Sequence, residues 1–563
     1  MPVFRYPVGQ RLLGGVTALV VAVACSETTQ PPPPPPLPVA QVNVSPPTAS
    51  MTAGTTLQLQ ATARDAAGTE IPGVAITWSS DDPSVATVAG TGLVNAVIAG
   101  QTSITAQTGS ISGTGEVTVV APGNATISLT PGTTYQTMQG WEATAQIGQS
   151  EYNSLWSWSG ADFKDVQTEL LDRTVNELGI DRVRLEIHPR FENNIDYYTQ
   201  WQNGTITRPQ WKAQWGNPVN DNTDPNVRND AGFQFSELDD WIVEVVNPMR
   251  TLAQANGEQI YVNLCYTDFT LNNHLLKTTP AEYAELVLAS FDHINSTYGW
   301  VPDAVELVLE SDLASYSGAL LGNYVVATEA RLAAAGYTGV EYVAPSVTNV
   351  ANAISQINGM TAVSGAQALI SEYSYHRYNN PGVSNIQAIA ARAAADGKRT
   401  SHLEWIGATH TQLLEDLVDG NVSSWSQFTI AWYSSTGTDD GGKYYVVNDA
   451  NPFNLIVSMG WRTPFLRQYM RYIRRGAVRI GTTNQSGALE PVAFINADGR
   501  YVVVVNAASG QGFTVGGLPG GTYGISYSTN SQSNVDQADV TITAGTPLSA
   551  TIPNGGVITI YGK

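Results

Sequence analysis

The sequence predicts a multi-domain chain in which a (β/α)8 TIM barrel carries a C-terminal β-sandwich and follows a small N-terminal all-β domain. Three observations carry this. The 563 residues exceed one domain at about 100–200 residues each. Between 135 and 465, eight apolar strand-like runs alternate with helical stretches, whereas the flanking segments show short runs between Gly, Pro and Asn turns. No Gly-rich phosphate loop follows any of the eight runs, which disfavours the alternative, an open doubly wound sheet. With 42% hydrophobic residues the chain is not disordered. The 48 acidic against 27 basic side chains, a net charge of −21, exclude nucleic acid and anionic membrane surfaces, which need a positive footprint.

Residues 1–24 read as a signal. Arg5 and Arg11 precede an apolar run, Leu12–Ala24, too short for the ~20 residues of a membrane span. The segment Leu19-Val-Val-Ala-Val-Ala-Cys25-Ser26 resembles a bacterial lipoprotein signal. That resemblance implies cleavage before Cys25, its lipidation, and a place on the outer membrane or cell surface; without lipidation the chain is secreted. A lipid on Cys25 is the only membrane contact expected. Cys265 is the one other cysteine, so no intramolecular disulfide is expected. Residues 25–39 contain the run Pro31–Pro36, a stiff extended tether.

Residues 40–121 form the all-β module. Thr56-Leu-Gln-Leu-Gln-Ala61 alternates with period two, and Ala75-Ile-Thr-Trp78 follows a Pro72-Gly73 turn. The stretch Ser84–Ala106 resembles bacterial immunoglobulin-like group 2 domains, which implies a spacer or adhesive unit.

Residues 122–465 make the barrel. Twelve of the 13 tryptophans and all six histidines fall here. Strands are expected at 137–141, 181–187, 259–265, 304–309, 340–344, 368–373, 400–405 and 428–432, with helices such as 280–295 and 324–335 between them. In the second strand Arg182, Arg184, Glu186 and His188 alternate with Val183, Leu185 and Ile187, so one face is polar and points into the lumen. By the same parity Glu306 shares a face with Glu310. Glu372, Ser374, His376 and Tyr378 share another, and His402 shares one with Glu404. Glu186 and Glu306 are expected to form structural ion pairs with Arg182 and Arg184. Strand-end carboxylates are where barrel enzymes keep their chemistry, and a facing pair suits glycoside hydrolysis. Glu310 and Glu404 are therefore the candidate catalytic residues.

Several segments resemble glycoside hydrolase family 30, in clan A. Tyr135-Gln-Thr-Met-Gln-Gly-Trp141-Glu-Ala is similar to its first strand, Leu369-Ile-Ser-Glu-Tyr-Ser-Tyr-His376-Arg-Tyr378 to its sixth, and His402-Leu-Glu404-Trp405 to its seventh. Tyr469–Ile480 is similar to its passage from barrel to side β-domain. The resemblance implies that Glu404 is the nucleophile, Glu310 the acid/base, Arg184 the arginine orienting the nucleophile, and His376 a substrate-site histidine, with Tyr378 beside it. Trp141, Trp405 and Trp432 are expected to stack on sugar faces or to fill core. One position departs: the clan places Asn before the acid/base, and this chain has Leu309. The alternative to an enzyme is thus a non-catalytic glycan-binding or adhesive surface protein on a degenerate barrel.

Residues 466–563 read as the sandwich, with strands near 501–506, 524–527, 539–542 and 557–561; residues 126–134 are expected to supply it with a strand. Asn220-Asp-Asn-Thr-Asp224 with Asn229 and Asp230 offers calcium-type oxygens without EF-hand spacing and reads as a solvated loop. His188, His274, His293 and His410 lack zinc-ligand spacing, so no metal and no cofactor are expected. The charge localises to the barrel: residues 1–39 sum to +1, 40–121 to −4 and 466–563 to +3, leaving −21 for 122–465. That favours a neutral polysaccharide or oligosaccharide as substrate, bound by a monomer.

Overall fold

The computed structural model describes residues 38–98, 100–120, 125–145, 147, 163–379, 382–434, 436–437, 439, 441–451 and 453–563. The signal segment, Cys25 and the proline run lie outside the described residues. In the barrel, β1 (Gly140–Thr144), β2 (Arg182–Ile187), β3 (Tyr261–Tyr266), β4 (Ala304–Glu306), β5 (Glu341–Asn349), β6 (Ile370–Tyr378), β7 (Arg399–Glu404) and β8 (Val422–Tyr433) pair in parallel order, and β8 closes onto β1. The register runs Glu142↔Arg182, Arg184↔Asn263, Cys265↔Glu306 and Glu306↔Val343, and closure sets Trp141 beside Trp425. Helices cover the outside. Pro280–Tyr298 starts on Pro280, whose missing N–H costs nothing at a first turn, and stops at left-handed Gly299 (φ 74°). It packs on Gly318–Ala334 through Tyr283 and Tyr324, stacked 4.0 Å apart. Val183, Leu185, Val262 and Leu264 bury completely under this layer, each contributing about 1.5–3 kcal/mol.

Several boundaries differ from expectation, with β5, β6 and β8 longer than expected. The first barrel strand lies at 140–144, because Ala125–Thr137 belongs to the sandwich. The break between them needs Gly140: its φ is 137°, and a Cβ there would meet Asp181 Oδ1 at 2.6 Å. Strand β4 stops at Glu306 rather than reaching Leu309. Beyond β8, Lys443–Asn448 adds in parallel and Ile456–Met459 antiparallel to it, extending the sheet at the mouth of the barrel.

In the sandwich, Ala125–Thr137 lies between Val478–Asn484, antiparallel, and Gln511–Gly516, parallel. Tyr469 Oη donates to Asn506 (2.6 Å) and Thr559 Oγ1 to the Gln468 carbonyl (2.6 Å), tying the helix Thr463–Met470 to the sandwich. The N-terminal domain has its own core of Val42, Leu59, Val94, Ile104 and Val117. Among the described residues no helix is long and apolar enough to cross a membrane.

Candidate active site

The lumen is layered with paired polar groups. Deepest lies Arg182, which donates from Nε to Glu142 (2.5 Å), from Nη1 and Nη2 to Glu372 (3.1 and 2.8 Å), and from Nη1 to Ser424 Oγ (2.8 Å). Above it Glu306 accepts from Asn263 Nδ2 (2.8 Å) and from Ser346 Oγ. The ion pairs expected between the second-strand arginines and Glu186 or Glu306 are therefore replaced. Arg182 takes carboxylates from β1 and β6, and Glu306 is held by neutral donors.

At the C-terminal mouth the candidate pair appears. Arg184 Nη2 donates to Glu404 Oε2 (2.6 Å) with both side chains at least nine-tenths buried, and Tyr378 Oη donates to Glu404 Oε1 (3.1 Å). Such a charge-assisted bond between buried groups fixes the carboxylate's orientation. His376 Nδ1 lies 3.2 Å from Glu310 Oε1, and its Nε2 lies 3.4 Å from Ser346 Oγ. Burial alone would push His376 down, but the bond to Glu310 and the charges of Glu404 and Glu310 outweigh it and raise its pKa. Tyr378 is raised by burial and by the adjacent Glu404, so its hydroxyl stays a donor. One oxygen each of Glu310 and Glu404 and one nitrogen of His376 lie within 4.8 Å of one another. That span would admit a cation, beside the Arg184 guanidinium already paired with Glu404.

Glu310 arrives by an unexpected route. Since β4 ends at Glu306, strand parity does not carry Glu310 inward. A turn does, with Glu310 itself left-handed (φ 51°). Non-glycine residues adopt that conformation at about 1 kcal/mol or more, typically where function over-determines the backbone. Leu309, 4% exposed, donates its N–H to the Tyr266 carbonyl (2.9 Å) and places an apolar side chain next to Glu310.

One expectation is corrected, and for Trp141 the core alternative holds. His402 does not share a face with Glu404: the β6–β7 register shifts between Tyr375↔His402 and His376↔Glu404, and this bulge turns His402 outward. There it lies against Trp425 and 3.2 Å from Asp416, and burial keeps it neutral, its pKa lowered well below the ordinary value. Trp141 is likewise outward, because its neighbour Glu142 points into the lumen. It is fully buried, and its indole N–H donates to the Ile473 carbonyl (2.6 Å). It closes the barrel–sandwich junction and has no face to offer a sugar. Trp405, half-buried next to Glu404, has the Arg377 guanidinium 5.3 Å over its ring. Trp432, also half-buried, contacts Phe428 (6.2 Å), and Phe428 in turn lies under Arg184 (5.9 Å). Phe428 and Ser346 escaped the sequence reading. Phe428 was findable as the i−4 partner of Trp432 on one strand face, whereas Ser346 lay beyond the expected end of β5.

Residues 476–560 match the family description "Glycosyl hydrolase family 30 beta sandwich domain". The C-terminal domain is the family 30 β-sandwich. Residues 38–110 match the bacterial Ig-like domain (group 2). No curated protein matches the chain. Among solved structures, the catalytic domain of a family 30 xylanase C from Talaromyces cellulolyticus is 15% identical with a TM-score of 0.56, over 78% of this chain and 100% of that one. An endo-β-1,6-glucanase is 17% identical (TM-score 0.53, 77% and 93% covered), and a conserved exported protein from Bacteroides fragilis is 12% identical (TM-score 0.55, 77% and 100%). At these identities the neighbours share the barrel-plus-sandwich fold. The family 30 sandwich thus sits on a barrel whose polar mouth is built from β2, β6, β7 and the turn after β4.

Proposed function

We propose that this chain is an exported glycoside hydrolase that cleaves β-glycosidic bonds of a neutral polysaccharide or oligosaccharide with retention of configuration. The observation that carries the reading is the approach of Glu310 and Glu404 oxygens to within 4.8 Å. Retaining enzymes hold the two carboxyl groups about 5–5.5 Å apart, whereas inverting ones leave about 6.5–9.5 Å for a water. In this reading Glu404, oriented by Arg184 and Tyr378, attacks the anomeric carbon while Glu310 gives its proton to the departing glycosidic oxygen. The glycosyl ester on Glu404 is then cleaved by a water whose proton returns to Glu310. The contact with His376 Nδ1, 3.2 Å away, holds the Glu310 carboxyl in place for both steps. The family 30 sandwich and neighbours titled xylanase and endo-glucanase support the class. The barrel's −21 favours a neutral glycan. The chain would act as a monomer, held at the cell surface by a lipid on Cys25.

Leu309 favours a second reading, a glycan-binding surface protein on a degenerate barrel, because the transition state loses an amide where the clan supplies one. Reducing-sugar release from xylan, β-glucans and galactans by the wild type and Glu404→Gln separates the two. Release that falls at least ~10³-fold in the variant supports the hydrolase. Glycan binding by both proteins with release from neither sinks it.

A further inference from the structure

The loop after β2 meets the helix Pro280–Tyr298 through four acidic side chains away from the catalytic pair. Glu192, Glu282 and Glu285 are 0%, 3% and 0% exposed, and Asp221 is half-buried. Asp221 N–H donates to Glu192 Oε1 (3.2 Å), and Asn220 Nδ2 reaches Glu282 Oε1 (3.5 Å), so the loop and the helix are in contact. Glu282 and Glu285 stand three residues apart on that helix, on one face of it. The cluster holds one cation of its own, Arg331, 3.3 Å from Glu285. Four oxygens are left buried without a donor: Glu192 Oε2, Asp221 Oδ1, Glu282 Oε2 and Glu285 Oε2.

Carboxylates so placed need protons or a metal. We propose that Glu192, Asp221, Glu282 and Glu285 bind a divalent cation, of the calcium class, that clamps the 188–235 loop onto the barrel. Only oxygen donors are offered, on two separate elements, which suits a hard cation with flexible coordination rather than zinc or copper. The sequence motif Asn220–Asp224 contributes through Asp221, whose Oδ2 is committed to the Asn229 N–H while Oδ1 is spare. The four oxygens are not gathered into one coordination sphere in this structure, so binding would draw the loop toward the helix. The clamp does not depend on the hydrolase reading.

The test uses the full chain, stripped with a chelator and titrated with CaCl2 by calorimetry at pH 7.5, with melting followed in calcium and in EGTA. One site per chain, a melting temperature higher in calcium, and slower proteolysis within 188–235 are expected. Both the heat and the shift should vanish in Asp221→Asn and in Glu192→Gln. No heat and identical melting of the wild type in calcium and EGTA would overturn the proposal, leaving protons as the occupants. Calcium binding that survives both substitutions overturns it too, by placing the metal elsewhere. Should a variant fail to fold, proteolysis of the wild type decides: calcium that binds without slowing cleavage within 188–235 overturns the proposal.

Discussion

Replacing Arg182 with methionine should be among the most damaging single changes in the barrel. The substitution keeps an unbranched apolar stem, loses the guanidinium, and removes four hydrogen bonds, one to Glu142, two to Glu372 and one to Ser424. Arg182 is fully buried, and Glu142 and Glu372 are at most 1% exposed. Water cannot reach the two carboxylates that remain. Burial already pushes Glu142 upward despite the arginine, and without it the carboxyl must take a proton or stay charged in a dry lumen. Breaking a buried ion pair from one side costs about 3–5 kcal/mol, which lowers the folding constant by roughly two to four orders of magnitude. Urea unfolding followed by tryptophan fluorescence measures it. The triple variant Arg182→Met, Glu142→Gln, Glu372→Gln should recover much of the loss, because most of the cost lies in uncompensated charge. A single variant within about 1 kcal/mol of wild type, or a triple variant worse than the single, would refute this account of the lumen.

Two further outcomes follow from the geometry. Because the pKa of His376 is raised in the fold, its protonated form stabilises the protein, fully below the ordinary value near 6.5 and progressively less as pH rises through the raised value. The gap in unfolding free energy between wild type and His376→Asn should therefore shrink from pH 6 to pH 9; a gap that widens shows a ring that is neutral in the fold. Trp141→Phe should cost about 1–3 kcal/mol by leaving the Ile473 carbonyl without its donor, read as a lower urea midpoint. Unchanged stability there means the indole bond does not fasten the junction.

Much of the barrel was legible because its strands are written in period two. The alternation from Arg182 to Ile187 and the row Glu372, Ser374, His376, Tyr378 assign lumen and helix faces without coordinates. What failed were positions where that period breaks. The bulge between β6 and β7 adds one residue of phase, which sends His402 out and Glu404 in, and nothing in His-Leu-Glu marks it. Of the two uses open to Trp141, sugar stacking or core, the structure takes core, on a strand that starts three residues later than expected, behind Gly140. Glu310 reached the mouth although the parity argument was void, since β4 had already ended. The partners of Arg182 were hidden for another reason: Glu142 and Glu372 come from distant strands, and only barrel closure brings them together. The carboxylates around Glu192 were invisible as a set because several helical segments and strand β3 separate Asp221 from Glu282 in the sequence.

The placement of Ala125–Thr137 in the sandwich has a consequence for how the chain is made. Ile127 pairs with Asn484 and Val515, so a strand translated before any barrel strand waits for partners translated after all of them. During synthesis or passage through an export channel it is a bare β-edge with apolar Ile127 and Leu129 exposed, a site for mispairing or for a chaperone. When Val478–Asn484 finally emerges, the pairing spans the whole barrel and draws its two ends together. Completion of the last domain is thereby also the seal on the first strand of the enzyme fold, and a chain cut short anywhere before Asn484 carries its own signature of incompleteness.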